Sequence, residues 1–266
     1  MITMKWLKRI GIGLGALLAV MGLWYGQLQY RTHALGNNHF ASSNTPTLLL
    51  AGYAGNALTY SGFIQRMQSA NIAHLALKIT VSTSGHISMQ RFGTLDDNAM
   101  IQVLFDANKD YQKEQAQLPQ VLAYLKQRGV AKVNLVGHSM GGGVGLATIL
   151  ATANKKQYPT IARFVAIGSP FTGLGNTPDK TRVAQLKTSL KQLPAGLKIL
   201  NIAGDVFGTG GDLEVASATV FGIAPLLPKT VDYRQARITG DVLTAEHSFL
   251  HENAQVDQLI SQFLWR

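Results

Sequence analysis

A serine stands between glycines at position 139, in the stretch "VNLVGHSMGGGVGL" that spans residues 133–146. Gly137, His138, Ser139, Met140 and Gly141 spell G-x-S-x-G. Residues 133–136 form a short apolar run of strand type, and residues 144–150 carry the apolar face of a helix. Between such elements the motif makes a sharp turn that lifts the serine hydroxyl clear of the backbone. The turn strains its central residue, so its neighbours must be nearly free of side chains. The chemistry open to such a serine is nucleophilic attack. A hydroxyl is a weak nucleophile at neutral pH, so a base must take its proton and an acid must orient the base. Downstream of Ser139 the histidines are His247 and His251, both in "TAEHSFLHENAQV". One of them is the expected base. Asp205 and Asp212 follow an apolar run in "AGDVFGTGGDLEVASA", where a carboxylate in a glycine-rich loop can reach back to an imidazole. Spacing alone leaves the choice between them open.

The rest of the chain supplies elements to hold these groups. "TLLLAGYAGN" (47–56) reads as a buried strand entering a glycine-containing loop, followed by a helix over 58–68. "AHLALKITVS" and "HISMQRF" alternate and are split by Ser84-Gly85, which predicts a strand with a hairpin-like excursion. "MIQVLF" is a further short strand or extended segment. An amphipathic helix is expected over 112–128, ending at Gly129, with Pro119 a candidate kink. Strands are expected over 163–170, 197–204 and 231–238, and a last helix over 254–264. Residues 171–196 are polar and glycine-rich with one helical patch, 181–193, and read as a lid over the site. Strands alternating with helices predict a mostly parallel sheet covered on both faces, with its site at the strands' carboxyl ends.

At 266 residues, 46% hydrophobic and 14% charged, the chain has the composition of one large globular domain. Its formal charge is +10, and setting aside Lys5, Lys8, Arg9 and Arg31 leaves 20 basic against 14 acidic residues. Basic residues do not cluster with aromatics, so no nucleic-acid partner is expected. Lys5, Lys8 and Arg9 precede the uncharged stretch "IGIGLGALLAVMGLWYGQLQY" (10–30). Basic first and apolar next is the layout of a secretory signal or signal anchor, with Trp24 and Tyr25 at interfacial level. With no convincing small-residue cleavage site, residues 1–31 are read as an uncleaved N-terminal hydrophobic helix and membrane anchor. Residues 32–46 are read as a linker, and 47–266 as the folded domain. The chain has no cysteine, so export would bring no disulfides.

Four separated stretches, "NLVGHSMGG", "MIQVLFDAN", "HSFLHENAQV" and "ISQFLW", resemble the DUF915 group of α/β-hydrolases, membrane-anchored cell-surface hydrolases of lactobacilli and related Gram-positive bacteria. The resemblance covers about Thr47 to Trp265. It implies an α/β-hydrolase fold and a Ser-Asp-His triad of Ser139 as nucleophile, His247 as base and Asp212 as acid, with Asp205 in reserve. Asp212 matches through the Val215 and Ser217 that follow it. The chain departs from the pattern at Ala51, where hydrolases of this kind frequently carry histidine before glycine. In that architecture the oxyanion hole is made of backbone amides, here those of Met140 and Tyr53.

Other chemistry is poorly served. Residues 106–110 begin like a calcium loop, but Tyr111 and Gln117 replace its glycine and terminal glutamate. His33, His39, His74 and His86 lack metal-ligand spacing, and His138 reads as a packing residue. Gly11, Gly13 and Gly15 follow no strand and are not a nucleotide fingerprint. No cofactor or metal is expected. The expected activity is extracytoplasmic cleavage of carboxylic esters, on a small-molecule, lipid-linked or wall-linked acyl substrate. An acyltransferase using the same residues, or an idle surface-binding module, are the alternatives.

Overall fold

The computed structural model describes residues 4–36 and 39–266. Linker residues 37 and 38 lie outside the described part, as do the side chains of Lys5, Lys8, Trp24, Gln27, Gln29 and Arg31. Two compact units divide the chain, Met1–His39 and Phe40–Arg266. The first holds one helix, α1 (Met4–Gly36). It runs past the expected end of the anchor at residue 31, because residues 32–35 hold no proline or glycine to stop it before Gly36. Among the described residues no helix is long and apolar enough to cross a membrane.

The second unit is built on an eight-stranded sheet. In chain order it comprises β1 (Thr47–Leu50), α2 (Ser61–Ser69), β2 (His74–Val81), β3 (Ile87–Arg91), β4 (Ala99–Phe105), α3 (Tyr111–Gln127), β5 (Lys132–His138), α4 (Met140–Thr152), β6 (Thr160–Ile167), α5 (Lys180–Ser189), β7 (Lys198–Val206), α6 (Ser217–Phe221), β8 (Asp232–Gly240) and α7 (Ala254–Trp265). The strand order is β3-β2-β4-β1-β5-β6-β7-β8, with β3 antiparallel to β2 and the other pairings parallel. The central strand β1 is buried throughout and β5 from its second residue on, whereas edge strand β3 is mostly exposed. That is how a parallel sheet covered on both faces reads in sequence.

Side chains alternate across the sheet. Leu48 and Leu50 join the core under α3, α4 and α5, together with Leu118, Leu122, Val144 and Leu186. Leu49, Met100 and Val136 are buried outside that cluster, as the two-residue period of a strand requires. On the second face α2 and α7 meet, and Ser261 Oγ donates to Met67 Sδ. The N-cap of α3 is Asp110, whose side chain accepts from Lys113 N, and Pro119 sits inside that helix. The helix over 58–68 begins only at Ser61, because Asn56, Leu58 and Thr59 are engaged in turn hydrogen bonds. The patch over 181–193 divides into α5 and a single 3-10 turn, Leu190–Gln192.

The chain lays β2 and β4 to one side of β1 and β5 to β8 to the other. The loops leaving β1 and β5 therefore diverge from neighbouring strand ends, the crevice where open α/β sheets hold their sites. Register makes them adjacent: Leu50 pairs with Gly137.

Candidate active site

Ser139 links β5 to α4 with φ 51° and ψ −121°, a left-handed strained conformation for a residue with a side chain. The elbow is tight on both sides. A Cβ at Gly137 would stand 2.6 Å from the backbone of Gly141, and one at Gly141 would meet the carbonyls of Leu50 and Ala51. The flanking glycines are therefore a packing requirement of the turn.

Ser139 Oγ lies 2.9 Å from His247 Nε2, and His247 Nδ1 lies 2.8 Å from Asp212 Oδ2. An ionised carboxylate only accepts, so Nδ1 carries the proton and Nε2 is free to accept from the serine hydroxyl. Asp212 is fully buried. Its other oxygen accepts from Glu214 N at 3.1 Å and Val215 N at 2.7 Å. Its carbonyl also accepts from His247 N at 3.0 Å, so one residue holds the histidine by ring and by backbone. Burial pushes the His247 pKa down, but the hydrogen bond and charge of Asp212, helped by Glu214 and Glu246, outweigh it and leave the pKa raised. Glu214, more than half exposed, stands 3.9 Å from Nε2.

Asp205 is spent elsewhere. Its Oδ1 accepts from Gly210 N at 2.8 Å and its Oδ2 from Arg237 at 3.0 Å. Asp205 is still part of β7, and Arg237 on β8 pairs with Ala203, two residues earlier on the same face. The strand pleat aims Asp205 at that arginine.

Of the backbone donors, Met140 opens α4, where leading amides find no partner within the helix. The loop after β1 turns at Gly52, with Gly55 N donating to Gly52 O. A Cβ at Gly52 would stand 3.0 Å from Ser139 Cβ, so this loop's backbone runs against the serine. The Tyr53 ring is mostly exposed and lines a cavity of about 860 Å³ shared with Ser139, Met140 and His247. Phe171, Leu174 and Leu186 reach the same cavity from the expected lid segment.

Two residues, Arg66 and Glu246, escaped the sequence reading, and His138 makes a contact that it did not foresee. His138, read there as packing, is indeed buried, but its Nε2 lies 2.9 Å from the carbonyl of His247. A carbonyl only accepts, so Nε2 is the protonated nitrogen. Burial first, then the neighbouring His247 and His251, holds the His138 pKa well below the ordinary value, so the ring stays neutral. Arg66 on α2 reaches the turn that carries His247, donating to Glu252 at 2.7 Å, to the His251 carbonyl at 3.1 Å and to both oxygens of Asp257. Glu246 caps that turn, accepting from Ser248 N at 3.0 Å. Glutamate is not among the usual N-cap residues, so the one ahead of "HSF" gave no cap signal. Arg66 and His138 carry no local signal. His251, the other candidate base, packs edge-on to His138 at 4.9 Å between ring centroids and makes no contact with Ser139 among the described hydrogen bonds.

The family model for the α/β-hydrolases of unknown function DUF915 matches residues 35–266. The chain belongs to the DUF915 family. Two solved structures share the fold of this DUF915 domain. The product of lin2722 from Listeria innocua is 24% identical at TM-score 0.76, covering 83% of this chain and 93% of that one. A candidate cell surface hydrolase from Lactobacillus plantarum WCFS1 is 23% identical at TM-score 0.67, covering 83% and 91%. No curated protein matches the chain.

Proposed function

We propose that this DUF915 protein is an extracytoplasmic serine hydrolase that cleaves carboxylic esters through an acyl-enzyme. The observation that carries the reading is the hydrogen-bonded chain from Ser139 through His247 to Asp212, set at a strained elbow that opens into an apolar cavity. Ser139 Oγ attacks the ester carbonyl while His247 Nε2 takes its proton. The resulting oxyanion is held by the amides of Met140 and Tyr53, each donor being worth about a hundred- to thousandfold in rate. His247 then protonates the leaving alkoxide, which departs as the alcohol, and Ser139 keeps the acyl group. Water, deprotonated by His247, attacks the acyl carbonyl, and the acid leaves as Ser139 recovers its proton. Asp212 keeps His247 in the right tautomer throughout. Residues 171–196 act as the lid over the cavity.

The outward placement rests on the basic-then-apolar order of residues 5–30, which suits retention at the membrane with the domain outside. One experiment addresses both parts. A membrane-impermeant fluorophosphonate is expected to label wild-type protein on intact cells and to leave folded Ser139→Ala unlabelled. Equal labelling of the two proteins sinks the nucleophile. Labelling only after lysis sinks the topology, and a folded wild type that never labels favours a binding module.

A further inference from the structure

The cavity beside Ser139 has a direction. Its floor is one face of α4, where Gly143, Leu146, Ala147, Leu150 and Ala151 line it in succession. These positions recur at three- and four-residue intervals, so they form a stripe along the helix rather than a patch. None carries a polar side-chain atom. The stripe starts beside the nucleophile, since Gly143 lies one turn after Ser139, and it runs to Ala151. Eight steps from residue to residue at a helical rise of 1.5 Å make it about 12 Å long. Leu174, Leu186, Ser189 and Gln192 border it from the segment after β6. Leu186 is buried, while Ala151 and Gln192 are exposed, so the far end opens to solvent. Arg182 also lines the cavity, but its Nε donates to the Phe171 carbonyl at 3.2 Å.

We infer that this trough binds one unbranched aliphatic chain of the ester, about ten carbons deep and open at its far end. The inference rests on the serine-hydrolase reading of Ser139. A carbon chain with bonds of about 1.52 Å at tetrahedral angles advances about 1.25 Å per atom, so about ten carbons span the stripe. The apolar floor rewards methylenes, and the polar side chains that line the cavity, Tyr111, Gln115, Ser189 and Gln192 among them, belong to α3 and to the segment after β6 and not to the floor. Length beyond the open end is neither rewarded nor excluded, so the structure assigns a plateau in place of a cut-off. The chain can belong to the acyl or to the alcohol side of the ester.

Two ester series on the full chain test this: p-nitrophenyl acyl esters from acetate to palmitate, and n-alkyl acetates of matching lengths. In one series kcat/KM is expected to climb by up to about fourfold per methylene and to level off near ten carbons. The rising series identifies the side of the ester that lies in the trough. Ala147 sits one turn beyond Gly143, so Ala147→Leu is expected to lower the ten-carbon to four-carbon preference by about tenfold. Ala151→Leu, at an exposed position that the fold tolerates, is expected to turn the plateau into a decline for the longest chains. Labelling of Ser139 by ethyl fluorophosphonate reports a folded, live nucleophile in each protein. Labelled wild type that shows no dependence on chain length in either series overturns the trough and leaves the hydrolase reading standing. A labelled Ala147→Leu protein with an unchanged preference overturns it as well. Folded wild type that neither labels nor turns over any ester overturns both.

Discussion

Two buried acid–base clusters hold the turn His247–Glu252 from different directions, Asp212 from the loop after β7 and Arg66 from α2. In the first, His247 is hydrogen-bonded to Asp212 through one nitrogen and keeps the other for Ser139. In the second, the Arg66 nitrogens are taken up by Glu252, Asp257 and the His251 carbonyl. A cluster with a free ring nitrogen can move a proton; a guanidinium, which keeps its charge and has a partner at each nitrogen, holds position. The difference shows in Asp257, where burial overrides the arginine beside it and pushes the carboxyl pKa up to about 6. Such a pair gives little net stability, yet it is costly to break from one side. The turn that presents the histidine is thus tied by one set of charges and worked by another.

Substitutions should separate the two roles. The largest effect is expected at Asp212→Asn, which loses the tautomer control of His247 and should lower kcat by up to about ten-thousandfold with the melting transition nearly unchanged. Asp205→Asn, at the end of β7, keeps an acceptor for Gly210 N and gives up an ion pair with a half-exposed arginine. It should retain most activity per folded molecule. If activity survives the first change and collapses in well-folded Asp205→Asn, the acid is Asp205.

Next in size is Arg66→Met, expected to cost about 3–5 kcal/mol in denaturant unfolding by stranding Asp257. The raised pKa of Asp257 gives this loss a sign with pH. At pH 5 the stranded carboxyl is protonated at little cost, whereas at pH 8 it must either hold a proton against the solvent or stay charged in the core, so the loss should be larger at pH 8. Equal losses at both values would show that Asp257 is not the group left unpaired.

The smallest effect is expected at Glu214→Gln. In the proposed mechanism turnover needs neutral His247, whose pKa lies above the ordinary value, so activity should fall as pH drops through that raised pKa. Glu214 contributes to the rise from a solvent-exposed position. Its removal should move the acid limb of the kcat/KM profile to lower pH and change the plateau little. An unmoved limb would assign the rise to Asp212 and Glu246 alone.

Much of this molecule is written locally. The strand runs, the helix ending at Gly129, the β2–β3 excursion and the glycine-flanked Ser139 depend on side-chain period and backbone sterics, which neighbouring residues report. The short α6 was not readable, since five residues carry too little period to show. Strand order was not readable either, because a buried apolar run records that both its faces are covered and not which strand lies beside it. Spacing alone left Asp205 and Asp212 open, because Arg237, which bonds Asp205, lies on β8 and 32 residues away. Arg66 meets Asp257 across 191 residues and His138 meets the His247 carbonyl across 109. Contacts of that range come from the parallel sheet bringing distant strand ends and their loops together, and no short window of sequence carries them.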